Sequence, residues 1–93
     1  MKMKNFKPIL ISEFSDKVDG PEKARCLEIA EWLGEPLMNF ILSSLDDKRC
    51  GINGIEHVYS MTKDADRLGK IKTTRAKFFN YYITLLYKKQ HEL

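Results

Sequence analysis

The spacing of hydrophobic residues predicts a helix over residues 21–33. An apolar side chain recurs at every third position, which places the set on one face of a helix. The set comprises Ala24, Leu27, Ala30 and Leu33, with Cys26, Ile29 and Trp32 beside it. Pro21 is tolerated as a first helical residue, and Gly34 is typical of a helix end, so both boundaries are predicted.

A second helix is predicted from Pro36 to Leu45. Apolar residues occupy so much of its circumference that we expect it at the centre of the core. They are Leu37, Met38, Phe40, Ile41, Leu42 and Leu45.

The pattern then predicts a loop over residues 43–54 and two short helices. Asn53 is a candidate cap for a helix that ends at Ser60, and Thr62 for a helix over residues 63–68. Gly69 closes the second of these helices.

The last predicted helix starts at Thr73 or Thr74 and runs to Lys89. One side carries an apolar stripe, which is expected to pack on the second helix. The stripe consists of Ala76, Phe79, Ile83 and Leu86, widened by Phe78, Tyr82 and Leu85. The opposite side carries a polar stripe of Lys77, Asn80, Tyr81, Thr84 and Lys88.

These elements predict an all-α, compact domain of four or five short helices over residues 21–93. Residues 1–20 are predicted to form an N-terminal arm or extended segment. Pro8 blocks an early helix, and the following apolar run of residues 9–11 suits a short strand or a packed tail.

Charge is distributed unevenly along the 93 residues. Residues 1–46 carry six basic and eight acidic side chains, whereas residues 47–93 carry ten basic and five acidic ones. Between Arg67 and His91 there are seven positive charges and no acid. This asymmetry favours a polyanionic partner, with nucleic acid as the first candidate, and the alternative is a solvated surface that aids solubility.

Other features of the sequence argue against several classes of function. The two cysteines, Cys26 and Cys50, form neither a disulfide framework nor a zinc motif, which favours a reducing, cytoplasmic setting. No apolar run approaches the roughly 20 residues that span a membrane. His57 and His91 stand alone, and Asp46 and Asp47 suit a helix-ending loop, so we expect no enzyme activity, metal or cofactor.

The basic C-terminal helix has the side chains of a DNA reader. Lysine and arginine neutralise phosphates, asparagine pairs with adenine, and hydroxyl groups reach phosphates or bases. The positive end of the helix dipole at Thr73 and Thr74 also suits a phosphate. The predicted nucleic-acid-binding residues are Lys70, Lys72, Thr73, Thr74, Arg75, Lys77, Asn80, Tyr81, Thr84 and Lys88, with Lys89 as a further phosphate contact.

Residues 62–89 have the order of a helix-turn-helix: a short helix, a glycine turn and a longer helix. Ala65 and Leu68 occupy the inner face of the first helix, and Ala76 the close contact on the second. The stretches "GEPLMNFILSSL" and "RAKFFNYYITLLYKK" resemble the small enterobacterial transcription regulators of the CaiF/GrlA type. The final helix is more distantly similar to that of the fimbrial regulators PapI and FaeA. The resemblance implies a recognition helix over residues 74–89 and a double-stranded DNA partner.

Two further interpretations remain open. The first is a small helical protein-binding module, such as an inhibitor, immunity or antitoxin-like protein, whose basic face covers an acidic partner. Small size and aromatic content suit it as well as they suit a DNA-binding homodimer. The second is RNA binding, because tyrosine faces stack on unpaired bases.

Overall fold

The computed structural model describes residues 7–88, which form five α-helices and a short π-helical segment. The elements are α1 (Ile11–Phe14), α2 (Pro21–Leu33), α3 (Asn39–Asp46), α4 (Gly51–Arg67), α5 (Arg75–Ile83) and the π-helical segment Thr84–Lys88. The predicted all-α fold is confirmed. No helix within this range is both long and apolar enough to cross a bilayer.

The core draws side chains from all five helices. Its largest fully buried members are Phe79, Ile29, Met38, Ile55, Ile83 and Val58. Each contributes about 2 kcal/mol by leaving water, and five of the six lie on α2, α4 and α5. Phe79 and Ile83 are buried, as predicted for the apolar stripe of α5. The partner helix differs from the prediction, because α5 packs mainly on α4 and also on α2, whereas the predicted partner was the second helix, here α3.

Helix α2 has the predicted boundaries, but its buried face is rotated. Pro21 begins the helix, and Gly34 follows it in the left-handed conformation, with φ at 80°. The buried residues are Cys26, Ile29, Ala30 and Leu33, whereas Ala24 is exposed. The prediction for Ala24 was wrong because a spacing of three drifts around a helix of 3.6 residues per turn.

Helix α3 begins at Asn39 and not at the predicted Pro36. The backbone of residues 36–38 instead pairs with the N-terminal segment. The Ile11 N–H donates to the Pro36 carbonyl, and the Met38 N–H donates to the Ile9 carbonyl. These long-range bonds satisfy backbone groups that an extra helical turn would otherwise have used.

The N-terminal segment packs against the helices. Leu10 and Leu37 form an isolated antiparallel bridge, and residues 11–14 make a single helical turn that buries Phe14. Both polar atoms of the Asn39 side-chain amide bind backbone groups of this segment. Its Oδ1 accepts from the Ile9 N–H at 2.8 Å, and its Nδ2 donates to the Lys7 carbonyl at 2.9 Å.

The two predicted short helices are one continuous helix, α4. Thr62, expected to be a cap, is fully buried inside it, and its Oγ1 donates to the Val58 carbonyl at 2.7 Å. A threonine in mid-helix can satisfy its hydroxyl this way without ending the helix. Asn53 lies within the first turn, and the predicted loop shrinks to residues 47–50.

The C-terminal helix changes its winding after Ile83. From Thr84 to Lys88 it forms a π-helix, whose wider turns alter which side chains face the core. The Tyr87 ring packs on Gly54 of α4, where a Cβ atom would lie 3.2 Å from Tyr87 Cζ. Leu85, predicted on the apolar stripe, is 42% exposed.

Candidate nucleic-acid interface

The turn between α4 and α5 is shaped by Gly69. Its φ of 71° lies in the left-handed region, which favours glycine. The Gly69 N–H donates to the Asp66 carbonyl, and the Lys70 N–H donates to the Ala65 carbonyl, so the turn satisfies the last groups of α4. The glycine turn of the predicted helix-turn-helix is present, but Leu68 is 56% exposed and does not face inward. Leu68 follows the buried Thr62 by six residues, which places it about 120° away from the buried side of α4.

Thr74 caps α5, as predicted. Its Oγ1 accepts a hydrogen bond from the Lys77 N–H at 3.1 Å. Such a cap satisfies one of the free N–H groups in the first turn and contributes about 1 kcal/mol to the helix. It fixes where α5 begins and brings Lys77 close to the residues of the turn.

A groove of about 370 Å³ lies between this turn and the exposed side of α5. We call it the basic groove. Its lining residues are Lys70, Lys72, Thr73, Lys77, Phe78, Tyr81 and Tyr82. Five of these seven were predicted as nucleic-acid-binding residues, so the structure brings a compact subset of the predicted site together.

The three lysines of the basic groove form no ion pair with any residue in the range 7–88. The neighbouring arginines differ, since Arg67 pairs with Asp64 at 3.2 Å and Arg75 with Asp66 at 3.0 Å. Positive charge is therefore left uncompensated in the groove and neutralised just outside it. An uncompensated cluster of this kind attracts anions over roughly the Debye length of 8–10 Å.

Arg75 is bound within the protein. Its Nη1 donates to the Trp32 carbonyl at 3.0 Å, and its Nη2 donates to Asp66 Oδ2 at 3.0 Å. The guanidinium carbon lies 4.0 Å from the centre of the Trp32 ring. Arg75 thus ties α5 to both α2 and α4, and both of its terminal nitrogens donate to partners inside the fold.

Asn80 also faces the body of the protein. Its Nδ2 donates to Glu35 Oε2 at 2.9 Å, across the gap between α5 and the segment after α2. Its Oδ1 is buried and has no hydrogen-bond partner among the described residues. Asn80 is half-buried, so the polar stripe is not uniformly open to solvent.

Tyr81 is the most exposed aromatic residue of α5, with 59% of its surface accessible. Its ring meets Tyr82 edge to face at 5.0 Å, and Tyr82 lies 4.8 Å from Phe78. Phe78 and Tyr82 were assigned to the apolar stripe, although both line the basic groove. Their i, i+4 spacing next to an outward-facing tyrosine was the sequence signal for a shared aromatic surface.

The remaining predicted residues lie away from the basic groove. Thr84 begins the π-helical segment and is half-buried. Lys88 donates from Nζ to Ser43 Oγ at 3.2 Å and lies 4.2 Å from the centre of the Phe40 ring. Partial burial lowers the pKa of Lys88 from its usual value. Lys89 lies outside the described residues.

Both cysteines are buried as free thiols. Burial raises the pKa of Cys26 to about 11 and also raises that of Cys50. Each thiol is therefore protonated at neutral pH, and neither has the thiolate character that nucleophilic chemistry needs.

Comparison of the chain with protein-family models, curated proteins and solved structures finds no match.

Proposed function

We propose that this protein binds double-stranded DNA through the basic groove and the exposed side of α5, and that it acts as a small transcription regulator in the cytoplasm without catalytic activity. One observation carries the proposal: three lysines without ion-pair partners in the described range surround an exposed, aromatic-lined groove. Lysines positioned in this way neutralise phosphates, and phosphate contacts supply most of the affinity in non-specific binding.

In this proposal α4, the Gly69 turn and α5 act as a helix-turn-helix. Lys77 and Tyr81 lie on the exposed side of α5 and would face the duplex. Lys70 and Lys72 would contact the backbone beside it. Arg75 and Asn80 have a supporting role, because their polar atoms already bind Trp32, Asp66 and Glu35.

The test is a titration of a labelled DNA duplex at several salt concentrations. Three phosphate contacts give a slope of about −2.7 in a plot of log affinity against log salt. Lys72→Ala should reduce the magnitude of this slope by about 0.9, whereas Lys48→Ala, at an exposed lysine outside the basic groove, should leave it unchanged. Absence of duplex binding at low salt would refute the proposal.

A protein-binding module is the second candidate, and exposed apolar side chains favour it. Leu68, Tyr81 and Leu85 are each more than two-fifths exposed, and the last two are one helical turn apart. Exposed aromatic and aliphatic residues beside positive charge would suit an acidic protein partner or a second copy of this chain.

The variant Lys77→Glu with Leu85→Ala separates the two candidates. Loss of duplex binding by the folded variant, with the oligomeric state of the parent unchanged, supports the DNA-binding proposal. Retained duplex binding, together with a change in oligomeric state or loss of a captured protein, supports the protein-binding module.

A further inference from the structure

The basic groove combines lysines with exposed aromatic rings, and binding to the backbone of a duplex requires only the lysines. Its lysines can hold phosphates, but phosphate binding alone needs no exposed ring. Tyr81 nevertheless leaves 59% of its surface open, and Phe78 and Tyr82 continue the aromatic wall. An exposed tyrosine within a ring cluster offers a face on which another flat ring can stack.

We infer that the basic groove binds an unpaired nucleotide of single-stranded DNA, with the base stacked on Tyr81 and the adjoining phosphates held by the lysines. This inference rests on the proposed function, since it assigns a preferred form of nucleic acid to the same surface. A base in a duplex has both faces covered by its neighbours, whereas an unpaired base has faces available for stacking.

The position of the charges supports this assignment. Lys70 and Lys72 come from the turn and Lys77 comes from α5, so lysines flank the rings from two segments of the chain. A nucleotide presents the same combination, namely a flat ring next to a negative phosphate. The volume of about 370 Å³ is near the small end of the range for ligand sites, which suits one or two nucleotide units and not a long channel.

The lack of carboxylates in the groove strengthens the argument. None of its seven lining residues is acidic, and the three lysines have no ion-pair partner in residues 7–88. An acidic peptide could satisfy the charge, but it would leave the ring face without a specific use. A nucleotide uses both features at once.

The experiment compares three labelled probes at the same salt concentration: a single-stranded thymidine 12-mer, an abasic 12-mer of the same charge, and a 12-base-pair duplex. Stacking on an aromatic side chain corresponds to roughly five- to a hundredfold in affinity per base. We expect the thymidine strand to bind at least about fivefold more tightly than the abasic strand. Equal binding of these two strands would overturn the inference.

Three variants locate the effect. Tyr81→Ala should abolish the preference for thymidine over the abasic strand while changing abasic binding less than about twofold. Tyr81→Phe should keep the preference, because the ring remains. Leu85→Ala removes another exposed apolar side chain, which lies outside the groove, and should also keep the preference. A preference that survives in folded Tyr81→Ala would contradict the assignment of the base to this ring.

Failure of the inference differs visibly from failure of the proposed function. Salt-dependent duplex binding without a preference for bases would overturn only the inference. A Tyr81-dependent preference for thymidine without duplex binding would overturn only the duplex proposal. No binding of any probe would overturn both.

Discussion

Two surface depressions within residues 7–88 have nearly equal volume and opposite charge. One, of about 380 Å³, lies at the start of α2, and its titratable side chains are Asp19, Glu22, Lys23 and Asp46. The other is the basic groove, at about 370 Å³. We call the first site the acidic depression. Its single lysine, Lys23, pairs with Asp19 at 3.3 Å, whereas the basic groove contains three lysines and no acid. Size does not distinguish the two sites, but charge compensation and aromatic content do.

The charge asymmetry of the sequence is therefore a local feature of the folded surface. The fold pairs Arg67 and Arg75 with acids of α4, and it places Lys88 against Ser43 and Phe40. Within residues 67–88, the positive side chains that remain without an acid or another polar partner are Lys70, Lys72 and Lys77. A partner that is attracted by charge should therefore meet one small region of the protein.

Reversing charge in the basic groove should have the largest effect. Lys72→Glu with Lys77→Glu is expected to weaken duplex binding about a hundredfold, because each reversal costs roughly 1.4 kcal/mol of attraction to phosphates. Fluorescence anisotropy with a labelled duplex measures the change. The matched control is Lys23→Glu in the acidic depression, where we expect less than about a twofold change. Similar losses in both variants would mean that net charge, and not the groove, governs binding.

Removing Arg75 should lower stability and leave the basic groove intact. Arg75→Ala deletes the bonds to Trp32 and Asp66 and the stacking on the Trp32 ring, at a cost of about 1–2 kcal/mol after allowance for partial exposure. Urea denaturation measures the loss. Duplex affinity of the folded variant should stay within about twofold, and a loss close to that of Lys77→Ala would instead make Arg75 a phosphate contact.

Breaking the contact between Glu35 and Asn80 should have a smaller effect. Glu35→Ala leaves Asn80 Nδ2 without its acceptor beside an Oδ1 that already lacks a partner within residues 7–88, so we expect a loss of about 1 kcal/mol. Glu31→Ala, at an exposed position near the end of α2, is the control and should change the stability by less than about 0.5 kcal/mol. Equal stability of the two variants would contradict a structural role for Asn80.

Lowering the pH should slightly reduce the free energy of unfolding, because it removes the ion pair between Arg25 and Glu56. Glu56 accepts hydrogen bonds from Arg25 at 2.6 and 3.1 Å, and these bonds lower the pKa of the carboxyl in the folded state. The stabilisation is fully present above the unfolded pKa of about 4.3 and is lost as the pH falls through the lower folded pKa. Both side chains are more than one-third exposed, so the change is at most about 1 kcal/mol. Thermal unfolding of the parent and of Glu56→Gln between pH 6 and about 2.5 checks it, and parallel curves would contradict it.

Local signals predicted the parts of the fold that depend on a few neighbouring residues. Pro21 and Gly34 mark the ends of α2, and the Thr74 hydroxyl caps α5, because each acts within one helical turn. The start of α3 could not be read locally. It depends on bonds from residues 36–38 to residues 9–11, and only the folded chain brings these segments together.

The sequence predicted which lysines form the candidate site, but it did not predict which way every side chain of the site points. Lys70, Lys72 and Lys77 were expected to face a partner, and they line the basic groove. Arg75 and Asn80 were expected to face the same partner, Asn80 on the polar stripe and Arg75 just ahead of it. Trp32, Asp66 and Glu35, which lie 43, 9 and 45 residues away along the chain, turn them towards the protein. Helical spacing cannot reveal such partners.

The amide of Asn39 has a consequence for the order in which the protein folds. It holds Lys7 and Ile9 across 32 and 30 residues of chain, so these bonds can form only after α2 has returned the chain to the start of α3. Closing such a long loop costs entropy before it returns any bond energy. The amino-terminal segment should therefore dock late, and the amide hydrogens of Ile9 and Met38 should exchange with solvent together, ahead of those in α4.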